Sequence, residues 1–215
     1  MKINIKIPET LSEITLEQYQ KFDKLVSNNE ASEFVNQKTI EIFCNIDLKD
    51  IAKIRIADVN DILSHLNALL QIKPKYIPTF KLSGLEYGFI PKLEDITAGE
   101  FIDLETYMSD TQTLHKAMAV LFRPITNKTK NLYQIEPYEN SDKYSEVLKS
   151  MPLDVVLGSI VFFYHLHNDC VIGLKDYIQS EVNQSEQLSN LLEESGVGIN
   201  QFTQQLEGIF STLKL

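Results

Sequence analysis

Strict alternation opens the chain. Lys2-Ile3-Asn4-Ile5-Lys6-Ile7 places three isoleucines on one face of an extended segment that Pro8 ends, which predicts one short strand. The period then becomes helical. Thr15 and Gln18 have capping-box spacing ahead of Leu16, Tyr19, Phe22 and Val26, so a helix is expected over about 15–27. Asn28 and Asn29 break it, and Phe34, Ile40, Ile42 and Phe43 carry a second helix towards Cys44. A third is expected near Asp58, whose side chain can cap the following amides, with Val59, Ile62, Leu63, Leu66, Leu69 and Leu70 as its stripe.

Lys73-Pro74 and Ile77-Pro78 then forbid helix. Phe80-Lys81-Leu82 and Tyr87-Gly88-Phe89-Ile90 flank Ser83-Gly84, which predicts a β-hairpin near 79–90. An isolated hairpin is marginal in water, so the strand at residues 2–7 is its expected partner. Thr97 and Glu100 form the clearest capping box, ahead of Phe101, Ile102, Leu104 and Tyr107. Asp110 or Thr111 can cap the next helix, striped by Leu114, Ala117, Met118, Leu121 and Phe122 and expected to stop where Arg123 precedes Pro124. Residues 126–131 read as an exposed polar loop, and Tyr133 and Ile135 ahead of Pro137 allow a second small hairpin.

From Pro152, suited to a first helical turn, the run Val155, Val156, Leu157, Ile160, Val161, Phe162, Phe163 and Leu166 is apolar nearly all round. Such a helix belongs in the middle of a core, and it can continue to about Ser180. The expected fold is mainly α with a small antiparallel β patch, an α+β class, built as a single helical core around the helix near 152–180. Residues 1–182 form the main domain. Residues 183–215 read as a C-terminal amphipathic helical hairpin, about 186–194 and 199–213, separated by Gly196 and Gly198. Its second helix carries the stripe Phe202, Leu206, Ile209 and Phe210, which either packs on the main domain and completes the core or is free as the candidate partner-binding surface.

Composition fits this picture. Gly 8 and Pro 7 in 215 residues favour long helices over a turn-rich sandwich or barrel. Cys44 and Cys170 fit no metal or redox spacing, which argues for buried thiols and a reducing compartment. A net charge of -10 repels phosphate backbones and anionic headgroups, arguing against nucleic acid and membrane as partners. The first ten residues lack a signal-peptide pattern, and the apolar run 155–166 is short of the roughly 20 residues a bilayer requires.

Candidate chemistry is sparse. His165, His167, Asp169 and Cys170 are the densest ligand types, yet residues two apart on a helix point apart, so at most His165 and Asp169 share a face. His65 and His115 stand alone in helical stripes. The glycines never fall in a phosphate-loop order, and neither Gly-x-Ser-x-Gly nor His-Glu-x-x-His occurs. No cofactor, metal or enzyme activity is expected. Arg123 is the charged residue that stands out, since it follows Val120-Leu121-Phe122 and meets Pro124. It reads either as a helix C-terminal cation or as a partly buried bidentate partner of Glu100, Asp103 or Glu105. Either role is architectural, which makes Arg123, Pro124 and Glu100 the structural residues to locate.

Several segments together resemble a known group. These are Ile3-x-Ile5-x-Ile7-Pro8, Ile14-Thr15-Leu16-x-Gln18-Tyr19-x-x-Phe22, Leu93-Glu94-Asp95-Ile96-Thr97-x-Gly99-Glu100-Phe101-Ile102-Asp103-Leu104, Ala119-Val120-Leu121-Phe122-Arg123-Pro124, Tyr133-x-Ile135-Glu136-Pro137-Tyr138 and Met151-Pro152-Leu153-Asp154. Over residues 1 to about 170 the chain resembles the tail assembly chaperones, or baseplate-hub assembly proteins, of tailed phages and prophages. The resemblance implies a non-enzymatic protein of the host cytoplasm that binds other phage tail or baseplate proteins until assembly. The alternative is a permanent virion component such as a baseplate, connector or packaged protein. Homo-oligomerisation is compatible with both.

Overall fold

The computed structural model describes residues 5–130 and 132–166. Its helices are α1 (Leu16–Asn28), α2 (Glu33–Cys44), α3 (Leu48–Ile51), α4 (Ile56–Leu70), α5 (Ala98–Met108), α6 (Leu114–Leu121), α7 (Asp142–Leu148) and α8, described over 153–166. Four strands, β1 (Thr79–Leu82), β2 (Leu85–Phe89), β3 (Phe122–Thr129) and β4 (Leu132–Ile135), form one antiparallel sheet in the order β1-β2-β3-β4. The α+β expectation holds.

Local chemistry sets the helix starts. Both capping boxes form: Thr15 with Gln18 begins α1, and Thr97 with Glu100 begins α5. The Gln18 amide also donates to the Ile42 carbonyl at 2.8 Å, tying α1 to the end of α2. Asp110 accepts from the Gln112 amide and starts a 3-10 turn that runs into α6. Asp58 does not cap α4. Arg55 occupies the cap position, and its guanidinium holds the Asp58 carboxylate at 2.7 Å and 2.8 Å. The stripe of α2 is Val35, Thr39, Ile40, Phe43 and Cys44, leaving Phe34 exposed.

The hairpin turns on Ser83 and Gly84, with φ of 50° and 82°, a two-residue turn in which both residues are left-handed and whose twist matches the strands. Its sheet partner among the described residues is not the N-terminal segment, of which residues 2–4 lie outside the described residues. Residues 5–8 are irregular, with Ile5 and Ile7 packed on the core and the Pro8 carbonyl 2.8 Å from His65 Nε2. The third strand is β3, which contains Arg123 and Pro124. The helix expected to stop at Arg123 ends at Leu121, and the chain passes into β3 with no linker. Residues 126–129, expected as loop, belong to β3, and a bulge at Thr126 shifts the β4 register.

α8 enters the core beside the start of α1. Leu153 N donates to Ile14 O and Leu16 N to Met151 O, both at 2.9 Å, and Pro152 lies in a bridge with Thr15 just before the helix. Val155, Val156, Leu157, Ser159 and Ile160 are all buried, so its first turns are enclosed on every side; from Val161 onward burial is partial. Gly158 makes this enclosure feasible: a Cβ there would lie 2.2 Å from the Lys75 carbonyl oxygen. The segment around Lys75 crosses the helix at backbone distance, and Tyr76 stacks on Phe162 at 4.1 Å.

Gly158→Ala must displace backbone and is expected to cost about 1–3 kcal/mol in denaturant unfolding. Gly99→Ala, where an added Cβ meets nothing within 4 Å, serves as the paired control and is expected to cost nothing.

Candidate functional site

The charged residue singled out by sequence lies deep inside. Arg123 sits on β3 opposite Gly88, and its Nη1 is 2.6 Å from Glu100 Oε1, with the two side chains 8% and 5% exposed. The Arg123 Nε and Nη1 atoms are buried without an aligned hydrogen bond, so the contact is a Coulombic pair and not the bidentate fork. Tyr138 lies beneath the guanidinium, its ring centre 5.5 Å from Arg123 Cζ, and donates its hydroxyl hydrogen to Asp103.

Glu100 divides its two oxygens. Oε1 faces Arg123, while Oε2 accepts from the Thr97 backbone N–H at 2.8 Å and hydroxyl at 2.7 Å. Burial pushes the carboxyl up, but the two Thr97 bonds and Arg123 outweigh it and hold the group below its ordinary value. Of the three carboxylates considered for Arg123, Glu100 is the partner; Asp103 serves Tyr138, and Glu105 is exposed. Pro124 follows in β3, where its carbonyl accepts from Glu136 N at 3.0 Å. Its missing N–H falls where β4 ends, so a proline fits this strand.

Meeting Arg123 also rotates α5. The sequence stripe was Phe101, Ile102, Leu104 and Tyr107, whereas the helix buries Glu100, Leu104 and Met108 and leaves Ile102 60% exposed. Tyr138 is the member of this cluster that sequence reasoning missed; an aromatic directly after Pro137, just beyond a strand, was its only local signal.

His65 and His115 serve the fold, whereas His165 is exposed near the end of the described part of α8. Gln20 Nε2 lies 3.1 Å from His115 Nδ1 and 2.8 Å from the Thr111 carbonyl, joining α1 to the start of α6. Burial, with repulsion from Lys149 and Lys116, lowers the His115 pKa against the opposing pull of Glu146. Burial pushes the Cys44 thiol up to about 11. His167, Asp169 and Cys170 lie outside the described residues, as do Phe202, Leu206, Ile209 and Phe210. Among the described residues no group of three or more His, Cys, Asp or Glu is arranged to hold a metal ion, and no helix is long and apolar enough to cross a membrane.

No protein-family model matches the sequence, and comparison with curated proteins and with solved structures returns no match.

Removing the carboxylate leaves Arg123 buried and unpaired, so Glu100→Ala is expected to lose about 3–5 kcal/mol in denaturant unfolding. Because the folded Glu100 value is lowered, its contribution is complete above the ordinary glutamate range of about pH 4.3 and fades as pH falls through the folded value. The gap between wild type and Glu100→Gln should therefore shrink on acidification. His115 works at a higher pH. Its folded value is also lowered, so native stability falls as pH drops through about 6.5 towards that value, and His115→Gln should flatten the melting-temperature slope between about pH 7 and 5.

Proposed function

We propose that the protein is a non-enzymatic tail or baseplate assembly protein of a tailed phage, holding other tail or baseplate components in the host cytoplasm until they assemble. The observation that carries this reading is how charge and apolar surface are distributed. The Arg123–Glu100 pair is sealed within the fold, where it joins a helix to a sheet. Solvent instead meets large apolar side chains on several elements, among them Leu132 at 79%, Ile56 at 63%, Ile102 and Phe34. Such side chains suit contact with other proteins. The segments over residues 1 to about 170 that resemble phage tail assembly chaperones suggest the biological context. The amphipathic stripe Phe202, Leu206, Ile209 and Phe210 supplies a second contact element in sequence terms.

The test is co-expression of the tagged full chain with the structural proteins encoded beside it. The expected result is co-purification of a soluble tail or baseplate component, with the protein missing from purified particles. Fixed stoichiometry in purified particles would instead make it a virion subunit, and capture of no structural protein would defeat both readings. Phe202→Asp combined with Phe210→Asp is expected to abolish capture.

A further inference from the structure

Among the described residues β4 forms one edge of the sheet, and its register determines which backbone groups are open there. Lys130, at φ 56°, and the next residue separate the pair Thr129↔Leu132, which closes a two-residue hairpin by hydrogen bonding. Bonded and non-bonded pairs alternate in an antiparallel ladder. Tyr133, opposite Lys128, therefore turns its N–H and C=O away from β3, while Gln134, opposite Asn127, turns back towards it. Glu136 N donates to Pro124 O at 3.0 Å, so Ile135 again faces outward. The edge offers a donor and an acceptor at Tyr133 and the same at Ile135. β4 contains no proline and no charged side chain, the usual means of blunting an edge.

The side chains and charges along this edge are self-complementary. Leu132 is 79% exposed and, with Asn127, Thr129 and Gln134, lines an open groove on the solvent face. Lys130 lies at the turn end beyond Lys128, which is already paired with Glu86; Glu136 and Glu139 follow the other end and share Lys143, which leaves a net negative charge there, and residues 125–135 contain no acid. An antiparallel two-fold exchanges these ends and brings Lys130 of one copy towards the acidic end of the other.

We propose that β4 pairs with β4 of a second copy of this chain, antiparallel about a two-fold axis at Gln134, so that two four-stranded sheets join into one. Tyr133 of each copy then faces Ile135 of the other, and each such pair exchanges both of its backbone hydrogen bonds. Gln134 faces its own equivalent across the axis. A two-fold centred on Tyr133 or on Ile135 would pair only that residue within β4, so the Gln134 centre uses every open group. The contact is isologous and closes at two copies. It is independent of the component bound in the assembly reading: capture can fail while the dimer forms, and the reverse.

Sedimentation velocity on the full chain tests this. Between about 1 and 100 μM the mass is expected to rise from 24.6 kDa towards twice that value. Gln134 is exposed, so Gln134→Lys and Gln134→Glu should keep the fold, checked by unchanged far-ultraviolet circular dichroism. Each alone places like charges directly across the axis and is expected to dimerise at least about tenfold more weakly. An equimolar mixture of the two should recover the dimer as a heterodimer. A wild-type chain that stays monomeric throughout, undiminished dimerisation of Gln134→Lys, or a mixture that fails to recover would each overturn the proposal.

Discussion

An arginine placed in the middle of a sheet has to bring its counter-charge with it, because a guanidinium left unpaired in the interior costs several kcal/mol. At Arg123 that counter-charge is Glu100, and the requirement propagates outward. Glu100 is also the third residue of the α5 capping box, so the carboxylate that neutralises β3 fixes the first turn of α5. The helix must then face the sheet through Glu100, Leu104 and Met108, one residue per turn along a single line. The Tyr138 ring beneath the guanidinium and its hydroxyl on Asp103 attach the chain after β4 to the same helix. One ion pair thus sets the rotation of α5 and the path of the chain leaving the sheet.

What the sequence made legible was local. Both capping boxes and the Ser83-Gly84 hairpin formed as expected, because each depends on residues within four positions of one another. Errors arose where a distant partner decided. Alternation at residues 3–7 predicted a strand beside the hairpin, but its described part, residues 5–7, is irregular; nothing in the pattern specifies a neighbour, and β3 took the position beside β2. The stretch from Ala117 to Phe122 keeps helical spacing up to the point where the chain becomes strand, so Arg123 and Pro124 resembled a helix end. Ile102 followed the apolar pattern of its helix and was still turned outward, since burying Glu100 beside Arg123 took precedence over burying an isoleucine. For the site, the sequence narrowed the partner of Arg123 to three carboxylates; choosing among them needed the packing of α5 on the sheet.

At two glycines another part of the chain occupies the place a side chain would take. At Gly158 the Lys75 carbonyl occupies the place of a side chain, letting the 73–78 segment cross α8. At Gly88 the Tyr133 ring does so, 2.5 Å from where a Cβ would stand, and its hydroxyl donates to the Phe89 carbonyl at 2.9 Å. Tyr133 therefore reaches from the edge strand across β3 to β2. The outer strand is fastened to the inner one by a side chain as well as by its ladder.

The direct passage from α6 into β3 has a mechanical meaning. A loop between helix and strand would absorb a rotation of either; here Leu121 ends one element and Phe122 begins the other. The first three residues of β3 are buried and its last four exposed, so the strand resembles a beam clamped at one end. From Pro124, the last buried residue, to Lys130 the free length is about 20 Å at 3.3 Å per residue. A tilt of only about 5° in α6 would carry the tip of the hairpin by about 2 Å over that length. Strain arising among the helices would thus register as displacement of the β3–β4 tip, and a load on that tip would be borne by the core.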